Sequence, residues 1–265
     1  MRYIITTFCL LFCAFKVAAL DHQKGSAYHA KKQNFNIGDI YTFQENDTWQ
    51  TLKVLDTHSD EGNSTTVHVL IYQPSTVKPT LKSLRTTPII TYHAPLSHEL
   101  FTSDWQYIGS STPLSAELKP YINYLKHNNF TKYAAATGQK VEDLIFRANT
   151  QYTKGYALSQ AAQYEQAIEA YTQAIKIFPL HHEAIDNIGF AYMDMGEFEK
   201  AIEYFDHSLS VYPQGVTALY YKGMSYINLE DINNAIETFK LGIESFPQQK
   251  QAFEEMYHSL LELIH

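Results

Sequence analysis

Residues His182 to Gly215 read HEAIDNIGFAYMDMGEFEKAIEYFDHSLSVYPQG, and the same pattern of residue types stands 34 places earlier and 34 places later. Gly155, Gly189 and Gly223 recur at that interval, as do Ala167, Ala201 and Ala235, then Tyr171, Phe205 and Phe239, then Pro179, Pro213 and Pro247. A second small residue, Ala174, Ser208 or Gly242, follows each aromatic by three places. A period of this size is one supersecondary unit copied, here at about 148–181, 182–215 and 216–249. Each unit holds two helical stretches, near 148–161 and 165–178 in the first copy, with the later copies in register. The glycine admits a close helix neighbour, the alanine does the same on the second helix, the aromatic fills the space between them, and the proline stops the second helix.

Working outward, residues 250–265 lack the glycine and alanine of the unit. They carry Phe253, Met256, Tyr257, Leu260, Leu261 and Ile264 at helical spacing. This predicts an amphipathic helix capping the open end of the stack. Upstream, Val141 to Arg147 reads as a helix running straight into the first unit. That unit departs most from the pattern, with Gln151 and Lys154 where the second has Ile185 and Ile188.

From Asp39 to about Ile108 the pattern is alternation, with a period of 2. Ile40, Tyr41 and Phe43 open a strand, and Trp49–Asp56 with Thr65–Tyr72 forms a hairpin. Pro88–Tyr92 and Asp104–Ile108 are further strands, and Ser115 caps a helix running to about Asn128. The expected fold is α+β in two domains. A small antiparallel β-rich domain with a C-terminal helix (39–138) precedes an all-α array of helix-turn-helix units (139–265). Residues 20–38 read as a flexible leader.

Residues 1–19 combine Arg2, the apolar run Ile4 to Phe15 and the small-residue stretch Val17-Ala18-Ala19. That is the form of a cleaved export signal, too short to span a membrane, so a periplasmic or secreted location is expected. The only cysteines, Cys9 and Cys13, lie inside it, which removes disulfide and thiol chemistry from the mature chain. Losing Arg2 and Lys16 takes the net charge from −8 to −10, against a nucleic-acid partner. No other segment is apolar enough to be transmembrane.

Catalytic motifs do not assemble. His93, His98 and Glu99 cluster in an expected loop, but His98-Glu99-Leu100-Phe101-Thr102 has Thr102 where a zinc-protease helix needs its second histidine. Gly109-Ser110-Ser111 lacks the second glycine of a nucleophile elbow. His181-His182 lies at a junction between units with no identifiable metal partner. No catalytic residue, metal site or cofactor is expected. Asn46, Asn63 and Asn129 open glycosylation-type triplets.

The glycine, alanine, aromatic and proline positions resemble the tetratricopeptide repeat, over Ala148 to about Gln249. The resemblance implies a superhelix whose first helices line a concave groove. Carried over copy by copy, it places Asn149, Tyr152, Tyr156, Ser159 and Gln160 there, then Glu183, Asp186, Phe190, Met193 and Asp194, then Thr217, Tyr220, Met224, Ile227 and Asn228. It implies a protein-interaction adaptor rather than an enzyme. Aromatics and adaptable methionines suit an apolar peptide, and the acids favour some basic character in it. The family's carboxylate-clamp variety grips acidic chaperone tails with basic residues that this face lacks, although Asn187 agrees with it. Other readings are a structural part of an envelope assembly, or an enzymatic N-terminal domain targeted by the repeats. The latter requires His93, His98, Glu99 and Asp104 to converge.

Overall fold

The computed structural model describes residues 34–59 and 65–263. Residues 1–19, expected to be an export signal, most of the expected leader, Asn63-Ser64 and Ile264 lie outside the described residues. The chain divides into two compact units between Tyr124 and Leu125.

The first unit is an antiparallel sheet of β1 (Asp39–Glu45), β2 (Thr48–Ser59), β3 (Thr65–Tyr72), β4 (Ile89–Ser97) and β5 (Gln106–Ser110), in the order β4-β3-β2-β1-β5. The expected hairpin is β2–β3, pairing Leu52 with Ile71 and Val54 with Val69. Alternation sends Tyr41, Leu52, Val54, Val67, Val69 and Ile71 to one face, where Phe101 and Trp105 close an apolar core. The opposite face carries Lys53, His68, Leu70 and Tyr72, all buried. A bulge between Val54 and Asp56 brings Asp56 opposite His68 and so onto this second face.

The structure moves some of the expected boundaries. His93 is not in a loop: β4 runs on through His93-Ala94-Pro95-Leu96. Pro95 is tolerated because β4 is an edge strand, with one side free of ladder bonds. Only His98–Leu100 leaves the strand, as a single 3-10 turn.

Helix α1 spans Ser115–Asn128. Its first bonded carbonyl is that of Leu114, which accepts from the amides of Glu117 and Leu118, so the cap sits one residue before Ser115. The Glu117 carboxylate in turn accepts from the Leu114 amide at 2.7 Å, as in a capping box. A short α2 (Phe130–Ala136) follows, capped by Asn129. Residues 125–138, grouped with the β-rich domain on sequence, fall in the second unit. There Phe130 and Ala134 pack with Leu144, Ile177 and Phe178.

Helix α3 (Val141–Gln160) contains the first helix of the first repeat and pairs with α4 (Tyr164–Ile177). The second repeat is α5 (His182–Asp194) and α6 (Phe198–Val211), and the third is α7 (Val216–Asn228) and α8 (Ile232–Ser245). Ala167, Ala201 and Ala235 are fully buried, as are Tyr171, Phe205 and Phe239. An added Cβ at Gly155, Gly189 or Gly223 would stand 2.7 Å from the aromatic ring of its own copy, closer than any real contact. The residue before each proline (Phe178, Tyr212, Phe246) is pushed out of the helical region, with ψ of 92°, 87° and 67°.

Each first helix ends in a Schellman arrangement: the amides of Gln163, Glu197 and Asp231 reach back to the carbonyls of Leu158, Tyr192 and Tyr226. The residue before each, Ala162, Gly196 or Glu230, has positive φ. Finally α9 (Lys250–Leu263) buries Phe253 and Leu260 against the third repeat. Its contact is tight, because a Cβ at Gly242 would meet the Phe253 ring at 2.1 Å.

Candidate peptide-binding face

The groove positions follow from helix geometry. Residues three, four and seven apart share a face, so Asn149, Tyr152 and Tyr156 form one stripe on α3, with equivalents on α5 and α7. In the first copy Tyr152 is half-buried against the Tyr171 ring at 5.8 Å, and Tyr156 is 50% exposed. In the second copy Phe190 stands edge-on to the buried Phe205 at 5.4 Å and to Tyr221 at 4.8 Å. In the third, Tyr220 lies edge-on to Phe239 and Phe253, and Met224 and Ile227 pack into the same cluster. Met193 packs beside Phe205. The third copy's stripe therefore belongs largely to the core, and the aromatic surface open to solvent lies on the first two copies and Tyr221.

The first two copies are joined by His181, which sequence reasoning placed at their junction but not as a link between them. His181 is only 7% exposed. Its Nδ1 lies 3.0 Å from Glu183 Oε2, its Nε2 lies 3.1 Å from Asn149 Oδ1, and its ring packs on Tyr152 at 5.0 Å. Burial lowers its pKa, partly offset by the Glu183 charge. Both neighbours are acceptors, so a neutral ring donates to only one of them, and a protonated ring donates to both. His182 Nδ1 also approaches Glu183, at 3.5 Å.

The three acids are not equivalent. Glu183 and Asp194 are exposed, and Glu183 has two histidines beside it. Asp186 is half-buried, and burial raises its pKa, with Ser208 and His182 opposing. Its Oδ1 has no hydrogen-bond partner among the described residues. The Asn228 amide donates to the Met224 carbonyl, leaving the residue exposed at the end of α7. Asn187 likewise donates to the Glu183 carbonyl. No spacing signal could have found Tyr221, because its equivalents in the other copies are Thr153 and Asn187.

In the first unit the proposed histidine cluster separates. His93 bonds His68 at 3.0 Å, while His98 Nδ1 lies against the Thr65 backbone and Asp104 accepts from Thr102. Among the described residues no three His, Cys, Asp or Glu side chains are placed to hold a metal ion. No helix among them is long and apolar enough to cross a membrane.

Two tetratricopeptide-repeat family profiles match the chain, one at residues 182–214 and the other at 148–179 and 216–249. No curated protein matches it. Solved structures similar to it include the Sgt2 TPR domain from Aspergillus fumigatus, at 26% identity over 44% of this chain and 78% of that one, with a TM-score of 0.41. The Arabidopsis OM64 TPR domain is similar at 19% identity over 45% of this chain and 98% of that one, TM-score 0.41. So is the second TPR domain of human RPAP3, solved in complex with an HSP70 peptide, at 19% identity over 43% and 95%, TM-score 0.40. Three registered glycine–aromatic contacts at the period of the matching profiles make residues 148–249 three tetratricopeptide repeats.

Proposed function

We propose that the chain is an exported adaptor whose repeats bind a peptide or protein segment with an apolar anchor and some basic character. Helical repeats of this family are protein-interaction modules. The observation carrying the reading is the combination of reachable aromatic surface at Tyr156, Phe190 and Tyr221 with exposed carboxylates at Glu183 and Asp194. Such a face offers an apolar anchor a rigid seat and repels acidic tails. Export rests on the composition of residues 1–19, and intact mass of the native protein tests it: a terminus near Leu20 is expected, and a retained Met1 overturns it.

Binding is tested by capture on the mature chain, mass spectrometry, then titration calorimetry with the captured segment. Phe190→Ala is expected to weaken binding by about 1–3 kcal/mol. Asp194→Lys is expected to weaken it more at low than at high salt, since screening suppresses exposed charges. Parental affinity in both folded variants overturns this face as the site.

A further inference from the structure

The second face of the sheet is covered by α1, and the layer between them is polar. Lys53 Nζ lies 2.9 and 3.0 Å from the two Glu117 oxygens, with both side chains buried. The Tyr121 hydroxyl donates to Asp56 at 2.5 Å. Between strands β3 and β4, His68 Nδ1 and His93 Nε2 stand 3.0 Å apart with their rings stacked. The α1 residues Tyr121 and Tyr124 close over both rings, with centroids 4.5–5.4 Å away.

We propose that the His68–His93 pair is a proton-operated latch, which holds the first half of α1 on the sheet while at most one of the two rings is charged and releases it in acid. The bond between the rings needs one nitrogen to donate and the other to accept. Two neutral rings satisfy it, and so does one neutral ring with one imidazolium. Two imidazolium rings have only donors and repel at this distance.

Around the pair, α1 brings the rings of Tyr121 and Tyr124, and β2 brings Asp56, opposite His68, whose carboxylate accepts from the Tyr121 hydroxyl. Elsewhere in the same layer Glu117 is held by Lys53, which also stands over the Tyr72 ring. Burial and the neighbouring His68 lower the His93 pKa from 6.5 to about 4. The closed state therefore binds fewer protons than the open state between those values. Its advantage is complete above pH 6.5 and is lost as pH falls towards 4.

Hydrogen exchange on the full chain tests this, using protection factors corrected for intrinsic rates at Leu118 to Tyr124. Protection at those amides is expected to fall by up to about tenfold per pH unit below 6.5, one proton's worth. In His93→Gln, which keeps a hydrogen-bonding group but no titration, the fall is expected to flatten. An unchanged slope in that variant assigns the response to another titrating group and overturns the latch. Should the variant already be open at pH 7, NMR titration of the two imidazoles in the parent protein decides. Both rings gaining a proton near 6.5 overturns the proposal, and a second protonation delayed until the α1 amides lose protection upholds it.

Discussion

The two units bury their interiors in opposite ways. In the repeats each copy sets a buried aromatic ring, Tyr171, Phe205 or Phe239, against the glycine of its first helix. In the first unit one sheet face is apolar, but the other holds an ion pair, a tyrosine–carboxylate bond and a histidine pair beneath α1. Apolar contacts are stabilising and tolerant, because a methylene more or less changes the packing by degrees. A buried polar layer is selective: complete, it fixes one arrangement, and with one partner missing it leaves a charge or dipole unsatisfied. So the repeats draw stability from many similar contacts, whereas the seat of α1 depends on a few dissimilar ones.

The largest effect that would break this comparison lies in the polar layer. Glu117→Ala strands the Lys53 ammonium, only 4% exposed, and removes the acceptor of the Leu114 amide. Removing one member of a buried ion pair costs about 3–5 kcal/mol. The double variant Lys53→Met, Glu117→Leu takes both charges away and is expected to recover most of that loss. Denaturant unfolding of the three proteins checks it. A cost for Glu117→Ala within about 0.5 kcal/mol, the ordinary surface range, would show that the pair does not hold the helix.

Next in size is the glycine contact. Gly189→Leu places a Cβ 2.7 Å from the Phe205 ring, which is buried on every side and cannot withdraw. Overpacking of this kind costs about 1–3 kcal/mol. Gly215→Leu is the control. It has φ of −75°, and a Cβ there would meet the Tyr212 carbonyl oxygen at 3.1 Å, a contact a small shift relieves. The melting temperature of the first variant is expected to fall well below that of the second. Equal melting would contradict the repeat register and, with it, the assignment of Tyr156 and Phe190 to one face.

These two regions also differ in how far the amino-acid sequence betrays them. The glycine–aromatic pairs are 16 residues apart within one copy and appear three times, so Gly155–Tyr171, Gly189–Phe205 and Gly223–Phe239 are visible as a period before any helix is drawn. Their role in close packing follows from residue size alone. Lys53–Glu117 and Asp56–Tyr121 are separated by 64 and 65 residues and occur once. Nothing periodic marks them, and each residue by itself reads as solvated surface. His93 was legible as a functional candidate but not as the partner of His68, because a strand through Pro95 contradicts local propensity and is allowed only by the edge position of β4. On the candidate face the stripe positions were legible by register. The link through His181 was not, since it lies between two copies and has no equivalent: Gly215 and Gln249 stand at its positions in the later copies.

The smallest effect sharpens the comparison inside the repeats, where the copies are alike in backbone but not in side chain. Ala162, Gly196 and Glu230 end the three first helices with φ of 55°, 75° and 57°. Only the second copy has the residue that adopts this conformation without strain. A non-glycine residue there costs about 1–2 kcal/mol relative to glycine, while glycine gives back about 0.5–1 kcal/mol through the larger freedom of the unfolded chain. The balance predicts that Gly196→Ala destabilises by up to about 1 kcal/mol, and that Glu230→Gly stabilises by a similar or smaller amount. Among the described residues no neighbour lies within 4 Å of a Cβ at Gly196, so the loss there is backbone strain and not a clash. Glu230→Asn separates the two contributions, because asparagine tolerates positive φ without the unfolded-state freedom of glycine. Thermal melts are expected to rank asparagine and glycine above glutamate at this position, by a few degrees. Should glutamate prove the most stable of the three, its side chain holds the end of α7 by an interaction stronger than the backbone strain, and the three helix ends would no longer be equivalent.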